Sequence, residues 1–451
     1  MQLRIHMVTI EDLVPQGHFL RKLESVLDLT FVREETARLY NRRLGRPPID
    51  PVVLVKYLLV GYLYGIPSER QIEQRIETDV AMRWYLGLDL FERVPDHSTI
   101  SQLRRRKPSF RKVVRRLFEA VVRQCIEKGL VSGKLVATDS THVKASASPG
   151  SMYLEDVAVS PGTYWERLDA YEERALEELE RKAGKRRKRR IKQVKKRAKH
   201  RQRRVSRTDP EAGYLNRPGK PKGMHYLSHQ TLDTEHGIIL DVAVTAGDAS
   251  DQTPYLEQME RVLDLIPVQG ATADSMYDYG LFHQVLKERG IPFYVRPMKT
   301  QPQQKVEFGR NDFSYDREQD IFFCPNGRSL TLNTVSRGSG TLHWVYTASK
   351  ADCQTCPLRE RCLSQSIQHG AKRLVRSVFE DAAKANLSQS ALPEYRQALR
   401  KRQIWCEGTF AIQKWSHNLR QVLRRGLEAA EDHCLLSAVA LNLKRMIKWM
   451  S

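Results

Sequence analysis

The chain has 451 residues, 41% of them hydrophobic, which excludes a disordered protein and allows two or three domains with at least one large core. Lys and Arg outnumber Asp and Glu by 75 to 53, a net charge of +22. Residues 181–206 hold 16 of the basic residues and no acidic one, so the rest of the chain carries only about +6 (22 minus 16).

That segment fits a polyanion such as DNA, or serves as a solubilising arm. No apolar run approaches the roughly 18–20 residues of a membrane span. The first residues lack an apolar signal core, and 7 Cys, an odd number clustered late, argue against a secreted disulfide framework. A cytoplasmic, nucleoid-associated protein is expected.

Residues 8–110 read as an all-α domain. Phe19, Leu20, Leu23 and Val26 fall at helical spacing, as do Val53, Leu54, Tyr57 and Leu58. Asp50-Pro51 is an N-cap followed by Pro at the first helical position, Ser68 caps a helix opening on Glu69, and Ser98 caps another. That last helix carries Arg104, Arg105 and Arg106, so the module reads as a helix-turn-helix that contacts DNA, or as a plain bundle.

An amphipathic helix over 108–131 leads to Lys134–Thr138, an apolar, β-branched strand that ends on Asp139. A carboxylate at a strand exit makes a turn or holds a cation. Residues 145–162 read as loop. From Thr163 to about His200 the pattern is one helix or helical hairpin with an apolar stripe of Leu168, Tyr171, Ala175 and Leu179, too narrow for a domain and therefore expected to project. Its basic half contains Arg186, Arg187, Arg189 and Arg190.

Sheet character returns as a hairpin over 224–245 that turns at Glu235-His236-Gly237. A helix, the short strand 270–274, a second helix at 279–289 and the strand 291–295 follow, a mixed α/β layout. Asp274 leaves its strand as Asp139 does, with Asp278 as the local competitor. Two such carboxylates are hard oxygen ligands for Mg²⁺ or Mn²⁺.

Cys324, Cys353, Cys356 and Cys362 include one CxxC and suit a closed, structural Zn²⁺ site; buried reduced thiols and an iron–sulfur cluster are the alternatives. Cys125, Cys406 and Cys434 lie in helical patterns and read as core. The segment 393–450 reads as helical throughout, with Ile404, Phe410 and Ala411 on its buried face. Glu407 among them needs a metal or an Arg partner. Lys414 shares its helical face, and Arg420, Arg424 and Arg425 offer phosphate contacts.

Asp139, Asp274 and Glu407 make a carboxylate triad suited to two divalent ions and an in-line displacement at phosphorus. With Ala137–Thr141, Val244–Asp251, Ala273–Asp278 and Glu407–Asn442, the chain resembles the DDE transposases of bacterial insertion sequences, in the branch with an InsH-type N-terminal domain. The resemblance implies an α+β, mixed α/β fold: an RNase-H-like core in 111–162, 207–300 and 391–451, the helical DNA-binding domain 1–110, a basic helical insertion 163–206 and a cysteine-containing insertion 301–390. It implies that Asp139, Asp274 and Glu407 bind two Mg²⁺ or Mn²⁺ ions. It also implies cleavage at transposon inverted repeats and strand transfer into target DNA by a homodimer or larger assembly. A nuclease that does not join strands and a non-catalytic DNA-binding regulator are the alternatives. The family's Tyr-x2-Arg-x3-Glu-x6-Lys signature keeps Glu407 and Lys414, but its Tyr and Arg positions hold Arg400 and Gln403, with Arg402 adjacent.

Overall fold

The computed structural model describes residues 7–37, 49–106, 109–158, 163–182, 200–219, 221–298, 307–338, 341–364 and 370–450. The basic run with Arg186, Arg187, Arg189 and Arg190 lies outside the described residues. The chain divides into two compact units: Met1–Glu155 with Gln202–Ala273 and Gln397–Ser451, and Asp156–Arg201 with Asp274–Arg396. Among the described residues no helix is long and apolar enough to cross a membrane.

The first unit opens with short helices, as its capping residues dictate. Asp50 accepts from the Val52 amide at 2.9 Å ahead of Pro51–Leu63, because Pro supplies a helical φ where no amide partner is needed. Ser68 accepts from Gln71 to start Glu69–Thr78. For His97–Arg106 the first-turn acceptor is Asp96, which takes the Ser98 amide at 2.7 Å; the expected cap Ser98 is itself inside the helix. Pro51–Leu63 is buried nearly all round, as a helix at the centre of a core must be. It packs with Leu427–Met450, whose own buried residues run from Ala429 to Ile447.

Numbered in chain order, with β2 (Met152–Ala158) and β3 (His200–Ser206) forming a separate pair, the sheet of this unit contains β1 (Val136–Lys144), β4 (Gly213–Leu215), β5 (Gly223–Asp233), β6 (Ile239–Ala246) and β7 (Ala271–Ala273). β5 lies between β1 and the pair β4 and β6, all antiparallel, while β1 pairs β7 in parallel. This is the mixed α/β layout expected from the sequence. Gly237 turns the β5–β6 hairpin at φ +75°, a left-handed conformation that glycine adopts without penalty. A Cβ there would also stand 2.4 Å from the Trp405 ring. Asn442 pins the long helix to the sheet, accepting from the Ile239 amide at 2.9 Å and donating to its carbonyl at 2.8 Å.

Three local expectations are corrected. β1 continues through Asp139 to Lys144, because β5 pairs it along its whole length. The stretch read as loop contains a strand, Met152–Ala158, paired with His200–Ser206, where the sequence predicts the last part of the basic helical insertion 163–206. The segment after residue 393 is not helical throughout: helices end at Ser416 and resume at Leu427.

The second unit holds the helix Thr163–Lys182 and a five-stranded antiparallel sheet of Ser314–Asp316, Ile321–Phe323, Ser329–Gly338, Thr341–Ala348 and Arg373–Ser377. Phe313, Phe322, Leu330, Leu332, Tyr346 and Leu374 form its core. The helix does not project. Leu176 and Leu179 pack on Val335 and Leu342, and buried Glu172 accepts from the Leu342 amide at 2.8 Å. An acidic residue in a charged sequence context hides this docking, since only the sheet supplies the amide.

Candidate active site

Asp139 sits where one edge of β1 loses its partner. The parallel register ends with Thr138 opposite Ala273, the residues immediately before Asp139 and Asp274. Asp139 faces Gln230 in the antiparallel register. The Gln230 side-chain amide donates to Gln413 Oε1 at 2.9 Å, tying the helix Gly408–Ser416 to the sheet at the level of Asp139. Next to it, Ser140 Oγ donates to Asp251 at 2.9 Å, and Arg217 reaches the same carboxylate at 3.2 Å. Ser140 and Arg217 hold Asp251, so the stretch Val244–Asp251 closes onto β1; the sequence contains no spacing from which that pairing could be read.

Glu407 ends a π-helical turn, Gln403–Glu407, between two α-helices. The wider turn changes the helical phase, and the buried face expected from the sequence shifts with it. Cys406, Thr409, Phe410, Gln413 and His417 are buried, whereas Ile404 is 58% exposed and Ala411 is also exposed. Glu407 itself is exposed on 62% of its side chain, so it is not embedded in apolar surroundings.

Arg402 brings the two carboxylates of this unit to one cation. Its Nη1 donates to Asp139 Oδ2 at 2.9 Å and its Nη2 lies 4.0 Å from Glu407 Oε1. Arg402 is one position farther from Glu407 than the signature's Arg, and the π turn adds one residue over that interval, so the guanidinium still reaches the acid. A guanidinium between two oxygen-donor carboxylates marks a place suited to a hard cation. Lys414 lies two turns beyond Glu407 and, with Lys144, disfavours a proton on His225, whose pKa is lowered chiefly by burial.

In the second unit Asp274 caps the 3₁₀ turn Ser275–Tyr277, accepting from the Met276 amide at 2.8 Å. Its competitor Asp278 is bonded to His283 Nε2 at 2.8 Å and to the Met298 amide at 2.8 Å, which gives it a structural role.

Arg104 departs from the DNA-contact expectation. It is buried, 7% exposed, and donates to Glu69 at 2.9 Å; a guanidinium inside the fold costs too much to leave unpaired. Arg105 and Arg106 share its helix. Arg424 is half-buried beside Asp432 at 3.5 Å. Arg420 and Arg425 are exposed.

Cys324, Cys353, Cys356 and Cys362 line one cavity of about 30 Å³ with Asp352, Arg359 and Lys372. The Arg328 amide donates to Cys324 Sγ at 3.3 Å. Burial pushes the Cys362 thiol up, opposed by Lys372 and reinforced by the other three cysteines. The donor set fits Zn²⁺, although among the described residues only Glu73, Asp96 and His97 bring three ligand atoms within 4.8 Å of one another. Those three already serve the start of the helix His97–Arg106: Glu73 takes both the His97 ring at 2.6 Å and its amide at 2.9 Å. Cys125, Cys406 and Cys434 are buried thiols, with burial pushing Cys125 and Cys434 up to about 12.

Two family models match the chain, Transposase domain (DUF772) over residues 8–106 and Transposase DDE domain over 323–447. The second spans the cysteine cavity and the Glu407 helix. A solved structure described as a piggyBac transposase synaptic complex with hairpin DNA is similar at 10% identity and a TM-score of 0.35, covering 95% of this chain and 74% of that one. The comparison with curated proteins returned no match.

Proposed function

From a chain with transposase-family stretches at both ends, we propose that the protein cleaves DNA at the ends of a transposable element and joins them to a target. The supporting observation is the convergence of Asp139 and Glu407 on Arg402. The Thr138–Ala273 register adds Asp274 as the residue after a paired position.

In this reading Asp139, Asp274 and Glu407 hold two Mg²⁺ or Mn²⁺ ions, which supply Lewis-acid activation of the attacking oxygen and charge neutralisation at the leaving one. The protein's own part is positioning. The Gln230–Gln413 bond fixes the Glu407 helix against β1, and Arg402 keeps the two carboxylates facing each other until a cation replaces it. Lys414, Arg420 and Arg425 hold phosphates of double-stranded DNA, and the basic run adds counterion-releasing contacts. Joining two ends to a target calls for a dimer or larger assembly. The four cysteines hold a structural Zn²⁺.

The test is nicking and strand transfer by the full chain with Mn²⁺ on a duplex carrying the element's inverted repeat. Asp139→Asn is expected to lower both by about 10³-fold or more while DNA affinity stays within about threefold. Equal activity in the variant sinks the proposal. Nicks without joined product in the native chain would make it a nuclease.

A further inference from the structure

Trp415 is 77% exposed, the most exposed Trp side chain among the large apolar residues on the described surface. Its mount is rigid. His417, fully buried, donates through Nδ1 to the Tyr62 carbonyl at 2.8 Å. Asn418, held at φ +61°, donates to the Gly61 and Ile66 carbonyls at 3.2 and 2.9 Å. Beyond it the chain is strapped to the end of β1: the Lys144 amide donates to the Arg420 carbonyl at 3.0 Å, and the Val422 amide to the Lys144 carbonyl at 2.8 Å. Arg425 Nε reaches the Ser146 carbonyl at 3.1 Å.

One face of the Trp415 ring is covered by the Arg420 guanidinium, whose carbon lies 4.0 Å from the ring centroid. From Lys414 to Arg425 the chain has four basic residues and no acidic one. A fixed indole backed by a guanidinium, in an acid-free basic stretch, matches the stacking platforms that bind single-stranded nucleic acid. The charge argues against a second copy of this chain, which is itself basic, as the occupant.

We propose that Trp415 stacks an unpaired nucleobase of the DNA being processed. A base inside a duplex has both faces covered by its neighbours, so an indole can stack only on one that is terminal, unpaired or turned out. Trp415 lies eight residues from Glu407 along one helix, about 12 Å at 1.5 Å per residue. That span corresponds to roughly three or four stacked nucleotides at about 3.4 Å each. The base held is therefore within a few nucleotides of the bond that is cut. The proposal rests on the transposase reading and deepens it.

The experiment uses the full chain in EDTA, so that no DNA is cut, with two probes. One is a paired duplex; the other is the same duplex with a short unpaired stretch containing 2-aminopurine. Native protein is expected to quench the 2-aminopurine. Trp415→Ala should abolish the quench and weaken binding to the unpaired probe by about 5- to 100-fold, with duplex binding changed less than about threefold, and Trp415→Phe should retain most of both signals. An unchanged quench, or equal losses on both probes, overturns the stacking proposal alone. So does a change of oligomeric state in Trp415→Ala with DNA binding intact. Native protein that binds neither probe overturns the transposase reading together with it.

Discussion

At the scale of single residues, Arg402 has the most to do. It stands between Asp139 and Glu407, and its positive charge offsets the mutual repulsion of two carboxylates. Under the proposed function, cations that took its place would release the guanidinium to meet a phosphate as a planar donor fork. Arg402→Ala is therefore expected to leave Mn²⁺ binding equal or tighter, read by calorimetry, and to lower cleavage by about 10- to 100-fold. Weaker Mn²⁺ binding in the variant would contradict this account. The residue was visible in the sequence only as a misplaced signature Arg. The signature assumes α-helical spacing, and a π turn cannot be read from composition.

Among the elements, the cysteine-bearing segment shows how far spacing carries an argument. The spacing of four cysteines over 324–362 predicts one shared site, and the strands between Cys324 and Cys353 bring all four to the wall of one cavity. The short helices Lys350–Gln354 and Arg359–Cys362 bury too little apolar area to hold their places unaided. Metal binding would supply that stability, as in other small metal-closed folds. Purified protein is expected to carry about one zinc per chain by elemental analysis, and Cys353→Ser to lose it together with part of the thermal stability. Metal-free native protein with an unchanged melting curve would exclude a structural zinc. The helix Thr163–Lys182 teaches the opposite lesson. Its narrow stripe predicted projection, yet the sheet beside it supplies the amide that makes a buried Glu172 tolerable.

Over the whole molecule, the first unit is held by buried polar groups as well as by its apolar helices. His433 donates from Nε2 to the Asn418 carbonyl, and its Nδ1 is hydrogen-bonded to the Tyr62 hydroxyl, each at 2.8 Å, an arrangement that a neutral ring satisfies. Burial pushes the pKa of His433, His417 and His229 down to about 4. An unfolded histidine titrates near 6.5. Between about 6.5 and 4 the unfolded chain thus binds protons that the folded one refuses, so stability is full above that window and falls with pH through it. Asp432, whose carboxyl burial pushes up, opposes this as one group against three. The expected loss from pH 7 to pH 4.5 is on the order of several kcal/mol, visible as a falling melting temperature by circular dichroism. A flat melting temperature over that range would show that these rings are not held neutral.

Local pattern was enough to determine the helical N-terminal segment and its caps at Asp50 and Ser68, the hairpin closed by Gly237, the short strand before Asp274 and the cysteine cavity. Each depends on residues within a few positions of one another, where period, capping and turn chemistry act directly. Only the tertiary structure decided that β1 runs on past Asp139, that Arg104 and Glu172 are interior, and that Ile404 and Ala411 face outward. It also decided that Arg402 meets two acids and that Trp415 stands exposed on a fixed mount. In each of these cases the deciding partner is a distant amide, carboxylate or strand edge, and burial of a polar group is settled by that partner rather than by the neighbouring sequence.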